Sequence, residues 1–160
     1  MITKIIQKRF GVSMIIVNFY EYVEDSLLEF AVIIARYRGK WVFCKHKERT
    51  TFECPGGHRE SGEKILDTAK RELYEETGAL EYELWPICAY SVCKIKDRGV
   101  EEETYGMLYY AEIGTLGKLP ESEIERTYLL DHLPDQWTYP EIQPVLMEKV
   151  ADVMKHEIWF

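Results

Sequence analysis

No stretch of this 160-residue chain approaches the roughly 18 consecutive apolar residues that a membrane-spanning helix requires. The N-terminal apolar segment, around 12–20, is interrupted by Ser13 and Asn18. It follows Lys4, Lys8 and Arg9 and runs into Glu21, Glu24 and Asp25 with no small-residue cleavage site, so it reads as a strand and not as a leader. Cysteine is sparse. Cys44, Cys54, Cys88 and Cys93 form no Cys-x2-Cys pair and have no histidine at zinc-ligand spacing. This excludes a zinc module and a disulfide framework, and implies free thiols in a reducing cytoplasm. Positive charge is scarce as well: 20 Lys and Arg against 28 Asp and Glu leave a net charge of −8. With no basic cluster, the chain is not expected to bind nucleic-acid backbone or a membrane. A small phosphorylated substrate stays open, because a bound metal ion reverses the local field. Repeats, linkers and low-complexity runs are absent, which predicts one domain over 1–160 with residues 1–13 as a peripheral N-terminal extension.

What is present is an alternation of strand-like and helical segments. Branched and aromatic residues predict strands over 12–20 and 28–36, the second turning at Arg38-Gly39-Lys40 into a partner over 40–44. His46 to Thr50 reads as a polar loop. A short strand is expected over 51–54, ending at Pro55, with Gly56-Gly57 as a turn. A helix is predicted from Ser61 or Gly62, stopped by Gly78. Further strands are expected over 82–96, broken near Pro86 and followed by a turn at Asp97-Arg98-Gly99, and over 104–113. A loop is expected over 114–125, and strand or extended loop over 128–133. A last helix should run from Pro140 or Glu141 to about 155. Strands around an early helix with a second helix at the end fit mixed α/β layers.

The most informative stretch is Gly57-x5-Glu63-x7-Arg71-Glu72-Leu73-x-Glu75-Glu76-x-Gly78. On a helix, Glu72, Glu75 and Glu76 stand at i, i+3 and i+4 and share one face. Leu66, Ala69, Leu73 and Leu80 fall on a different arc, which predicts an apolar stripe separate from an acidic one. Three like charges on adjacent turns repel unless a cation sits among them. Mg²⁺ takes carboxylate oxygens and keeps positions for water and phosphate, so these glutamates are candidate metal ligands.

The pattern resembles the Nudix box of the Nudix hydrolases, the MutT-like superfamily, and meets every specified position. Phe52-Glu53-Cys54-Pro55-Gly56-Gly57 is similar to the segment leading into that box, and Glu123 with Leu133-Pro134 falls where many members place a Glu and a Leu-Pro pair. The resemblance implies a Nudix-type α/β/α sandwich with a mixed β-sheet. It also implies Mg²⁺- or Mn²⁺-dependent hydrolysis of a nucleoside diphosphate linked to another group. The metal set it suggests is Glu72, Glu75, Glu76, the carbonyl of Gly56 or Gly57, and Glu123 from a later loop, with Glu121 and Glu103 as substitutes. Glu72 or Glu76 would activate the attacking water. Glu63 and Arg71 would form a structural ion pair.

For the substrate, Glu53 resembles a position held by Glu in several MutT-like nucleoside triphosphate hydrolases. Arg36, Arg38, Lys45 and Lys47 are candidate phosphate contacts. Trp137 is a candidate stacking surface, while Tyr139 is expected in the core. ADP-ribose hydrolases often carry a proline where this chain has Ile95. Dinucleoside polyphosphate hydrolases often carry a tyrosine near Lys96 and Asp97, and the Ser-Gln-Pro-Trp-Pro motif of NADH hydrolases is missing. Exclusion leaves a MutT-type (deoxy)nucleoside triphosphate pyrophosphohydrolase, with 8-oxo-dGTP as one candidate substrate. A hydrolase of a nucleotide sugar or ADP-ribose is the alternative. So is a non-catalytic nucleotide-binding module, though none of the carboxylates is lost. A Nudix-fold isopentenyl diphosphate isomerase would need a further Cys and Glu, and Cys54 is the only obvious thiol near the box.

Overall fold

A computed structural model describes residues 3–6, 14–96 and 99–157. Its strands are β1 (Thr3–Ile6), β2 (Met14–Tyr20), β3 (Leu28–Tyr37), β4 (Lys40–His46), β5 (Gly56–His58), β6 (Ala79–Lys96), β7 (Gly99–Leu116) and β8 (Ile124–Leu130). Two helices, α1 (Ile65–Thr77) and α2 (Gln143–Glu157), and a short 3-10 turn at Asp25–Leu27 complete it. The strands form one mixed sheet in the order β1-β2-β6-β7-β3-β4-β8, with β3 and β7 parallel and β5 alongside β3. Lys8, Arg9, Asp97 and Arg98 lie outside the described residues. No helix among the described residues is long and apolar enough to cross a membrane.

Strand parity divides the core. Ala31, Ile33 and Ala35 of β3 face Ile65, Ala69 and Leu73 of α1, and the alanines let the helix lie close. Ile34, Phe43, Leu108 and Tyr110 face Val145, Leu146, Met147 and Val150 of α2. A helix on each face of a mixed sheet is the α/β/α sandwich that the resemblance implied. The β3–β4 hairpin turns through Arg38 (φ 50°) and Gly39 (φ 78°), the paired positive φ of a type I′ turn, where the sequence predicted a hairpin.

Several boundaries differ from the sequence expectation. Residues 51–54 make only isolated bridges, at Phe52 and Glu53, and the strand forms at Gly56–His58 instead. The reason is close approach. A Cβ on Gly56 would sit 2.4 Å from the Ala31 carbonyl oxygen, so the two glycines let this backbone lie against β3 where a turn was expected. Helix α1 starts at Ile65, because Gly62 has φ 83° and cannot begin a right-handed helix. Leu66 and Leu80 are exposed; Ile65, Thr68 and Glu72 take the buried side with Ala69 and Leu73, so the acidic and apolar stripes overlap at Glu72. Strand β6 runs through Pro86 with a register shift before Cys88. Strand β8 begins earlier than expected, at Ile124, and α2 later, at Gln143. All four cysteines are buried and unbridged.

Candidate active site

Where β4 leaves β3 to pair with β8, β5 takes the remaining length of the β3 edge. Beside that fork lies α1, carrying the three glutamates. Its N-terminus has Lys64 at the cap position with no side-chain bond of its own. Asp25 supplies the missing acceptor from outside the box: its Oδ1 takes the Ile65 N–H at 3.2 Å, and its Oδ2 takes Arg59 at 2.9 Å. At the other end Gly78, at φ 76°, closes the helix by donating its N–H to Tyr74.

Arg71 is the cation nearest the acids. Its Nε donates to Glu63 at 2.6 Å, and its Nη1 reaches Glu72 at 2.8 Å and Glu75 at 3.3 Å. Its Nη2 donates to the His58 carbonyl at 3.0 Å, tying helix to β5. The guanidinium holds the Glu63 carboxyl down at about 2. Glu63 also accepts from Thr68 and from the Glu60 N–H, so with Arg71 it forms one hydrogen-bonded network.

Glu76 differs. Its carboxylate accepts one backbone N–H, from Gly56 at 3.1 Å, and among the described residues it makes no ion pair. Burial first, then the like charges of Glu72, Glu53 and Glu75, push its carboxyl up to about 9. Burial also raises Glu72, and outweighs the Arg71 guanidinium beside it. Gly57 lies against Glu72: a Cβ there would stand 2.2 Å from Glu72 Oε1, so any other residue would displace the carboxylate.

Among the described residues no three His, Cys, Asp or Glu side chains are gathered into a finished metal cage, and Arg71 draws Glu72 and Glu75 toward itself. The donor chemistry nevertheless fits a divalent cation. Carboxylate oxygens stand on one helix face, and the half-buried Glu76 carboxylate has like charges around it and, among the described residues, no counter-charge in contact.

The structure treats the remaining candidates unequally. Glu53 is brought in: it is 8% exposed, held by Arg49 at 3.1 Å, and close enough for its charge to raise Glu76. Glu123 is not gathered with the box acids; its side chain is 85% exposed and bonded to His46 at 3.0 Å. Arg36 lies at the hairpin end of β3, opposite in parity to the residues under α1, stacked over Trp41 at 4.8 Å and donating to the Gly39 carbonyl. Arg38 covers Tyr37 in the turn, and Lys45 pairs with Glu125. None of these three bonds to the α1 acids. Trp137 packs edge-on against Phe43 at 5.4 Å, whereas Tyr139, expected in the core, is 42% exposed beside the Arg49 guanidinium. Phe52 bridges Trp137 through the backbone, which seats this segment beside the residues leading into β5.

Sequence reasoning missed Asp25, Cys44 and Thr127, which reach this region through long-range contacts, and Arg49, which meets Glu53 four residues on. For Asp25 a local signal existed: Lys64 is a poor cap, so another acceptor had to be found.

A sandwich with an acid-bearing helix beside a sheet edge defines the class of fold. A model of the NUDIX domain matches residues 26–147, and the chain belongs to that family. It is 34% identical over 104 residues to YtkD of Bacillus subtilis strain 168, provisionally named an 8-oxo-dGTP diphosphatase. That match covers 64% of this chain and 62% of the relative, less than two thirds of its length. The crystal structure of a point mutant of the Bacillus subtilis pyrophosphohydrolase BsRppH superposes with a TM-score of 0.71 at 24% identity, covering 92% of this chain and 98% of that one. The NUDIX domain of Shewanella oneidensis NrtR, complexed with ADP ribose, superposes at 0.60 with 13% identity, covering 79% and 88%.

Proposed function

We propose that the chain hydrolyses a phosphoanhydride bond in a nucleoside triphosphate, with a divalent metal, Mg²⁺ or Mn²⁺, held by Glu72, Glu75 and Glu76. The observation that carries this reading is Glu76: a half-buried carboxylate among like charges, bonded to the Gly56 N–H and, among the described residues, with no counter-ion in contact. When bound, a divalent ion would neutralise those acids, polarise the phosphate oxygens and acidify a water. Glu76, with Glu72 beside it, would take the proton from the attacking water. The Gly56 N–H fixes one of the Glu76 oxygens, leaving the other for that exchange. Arg71 and Glu63 hold loop and helix together, and Gly57 keeps the space against Glu72 open. Glu123 would join the metal set after releasing His46.

Arg49 and Tyr139 form an exposed cation and ring next to Glu53, suited to a phosphate and a base respectively. They replace Arg36 and Arg38 as the proposed substrate contacts. The similarity to YtkD favours 8-oxo-dGTP within the triphosphate class. A panel of 8-oxo-dGTP, dGTP, ADP-ribose and nucleotide sugars, assayed with Mg²⁺ for released pyrophosphate or monophosphate, tests the reading. Pyrophosphate from a triphosphate supports it; turnover confined to ADP-ribose or a nucleotide sugar contradicts it.

A further inference from the structure

The last carbonyls of a helix have no partner within it and must be satisfied from outside. In α1 the Glu76 carbonyl is one of these, and it receives two side-chain donors. Cys44 Sγ donates at 3.4 Å from β4 and Thr127 Oγ1 at 3.2 Å from β8. These two are register partners on adjacent strands, so they project side by side as a two-pronged donor. Cys44 is fully buried, facing the end of α1. The Glu76 carboxylate is held separately by the Gly56 N–H of β5. The residue is thus fixed at both its backbone and its side chain, by three different strands.

We propose that Thr127 and Cys44 are positioning residues, which set the height and rotation of the last turn of α1 and so aim the Glu76 carboxylate at the metal. Neither belongs to the box; they lie 51 and 32 residues from Glu76 in sequence. This rests on the reading of Glu76 as a metal ligand. Outer partners that orient metal ligands typically matter by about 10–100-fold in affinity or rate.

The test is Mn²⁺ binding by calorimetry on the folded chain, with kcat and KM measured at saturating Mg²⁺. Thr127→Val keeps the side-chain shape and removes the donor, whereas Thr127→Ser keeps the donor and removes a methyl. Thr127→Val is expected to weaken Mn²⁺ binding by roughly tenfold and lower kcat with little change in KM, while Thr127→Ser stays near wild type. A purely packing role predicts the reverse order, and that result would overturn the proposal. So would Mn²⁺ binding by folded Thr127→Val equal to wild type. If Thr127→Val fails to fold, Cys44→Ser, which keeps a donor, is compared with Cys44→Ala, which does not. The expected order is Ser above Ala in Mn²⁺ affinity, and equal affinities would overturn the proposal. A wild-type chain that binds no Mn²⁺ is a separate outcome, which removes the metal reading and this inference with it.

Discussion

Glu63 and Glu76 belong to one motif and stand at opposite ends of the carboxylate scale. Glu63 has Arg71, Thr68 and a backbone N–H around it and is held at about 2. Glu76 has a single backbone N–H and the like charges of Glu72, Glu53 and Glu75, and it rises to about 9. The difference teaches where positive charge is complete and where it is missing. The Glu63 side is a finished structural network, whereas the Glu76 side gathers like charges with no cation in contact among the described residues, which is what the proposed metal would supply.

The largest effect expected from breaking that contrast is on catalysis. Glu76→Gln removes the carboxylate and should lower kcat by about a hundredfold or more, as loss of a key electrostatic group does. The same amide suits a half-buried site among like charges, so its metal-free melting temperature should equal or exceed that of wild type. Calorimetry and steady-state assays on one preparation check both. Arg71→Gln acts on the other side. It removes charge-assisted bonds to Glu63 and Glu72 and should cost about 2 kcal/mol in urea unfolding.

The pH dependence of the metal-free chain sharpens the comparison. The folded pKa of Glu76 lies above its ordinary 4.5, so its contribution is fully present below about 4.5 and is lost as pH rises through about 9. Glu63 is depressed, so its contribution is present above about 4.5 and is lost as pH falls toward 2. Melting temperatures from pH 3 to 10 should decline on both limbs; Glu76→Gln should flatten the alkaline limb and Glu63→Gln the acid one. A saturating divalent metal should abolish the alkaline decline in wild type. The smallest effect belongs to Glu123, which is exposed and tied to His46. Glu123→Ala should raise the half-saturating Mg²⁺ concentration by about threefold, and an unchanged titration would remove Glu123 from the metal set.

The parts of this site that the sequence revealed are those whose chemistry is local to one helix. Spacing alone put Glu72, Glu75 and Glu76 on one face, and Gly78 announced the helix end. Burial of Glu72 was not legible, because periodicity cannot say which edge of an acidic stripe turns under the helix. The side of the sheet that Arg36 takes was not legible for a similar reason: alternation along β3 carries it away from α1, and parity depends on where the strand is registered. Cys44 and Thr127 were invisible because each reaches the site through strand pairings that no short motif encodes.

The most direct test of the charge-deficit account is a calorimetric Mn²⁺ titration of wild type and Glu76→Gln, run in two buffers of different ionisation enthalpy at about pH 7.5, below the raised Glu76 value. The account predicts saturable binding by wild type with release of a proton, because Glu76 must ionise to bind, and markedly weaker binding without that release by the variant. Equal affinity and equal proton release in the two proteins would contradict it.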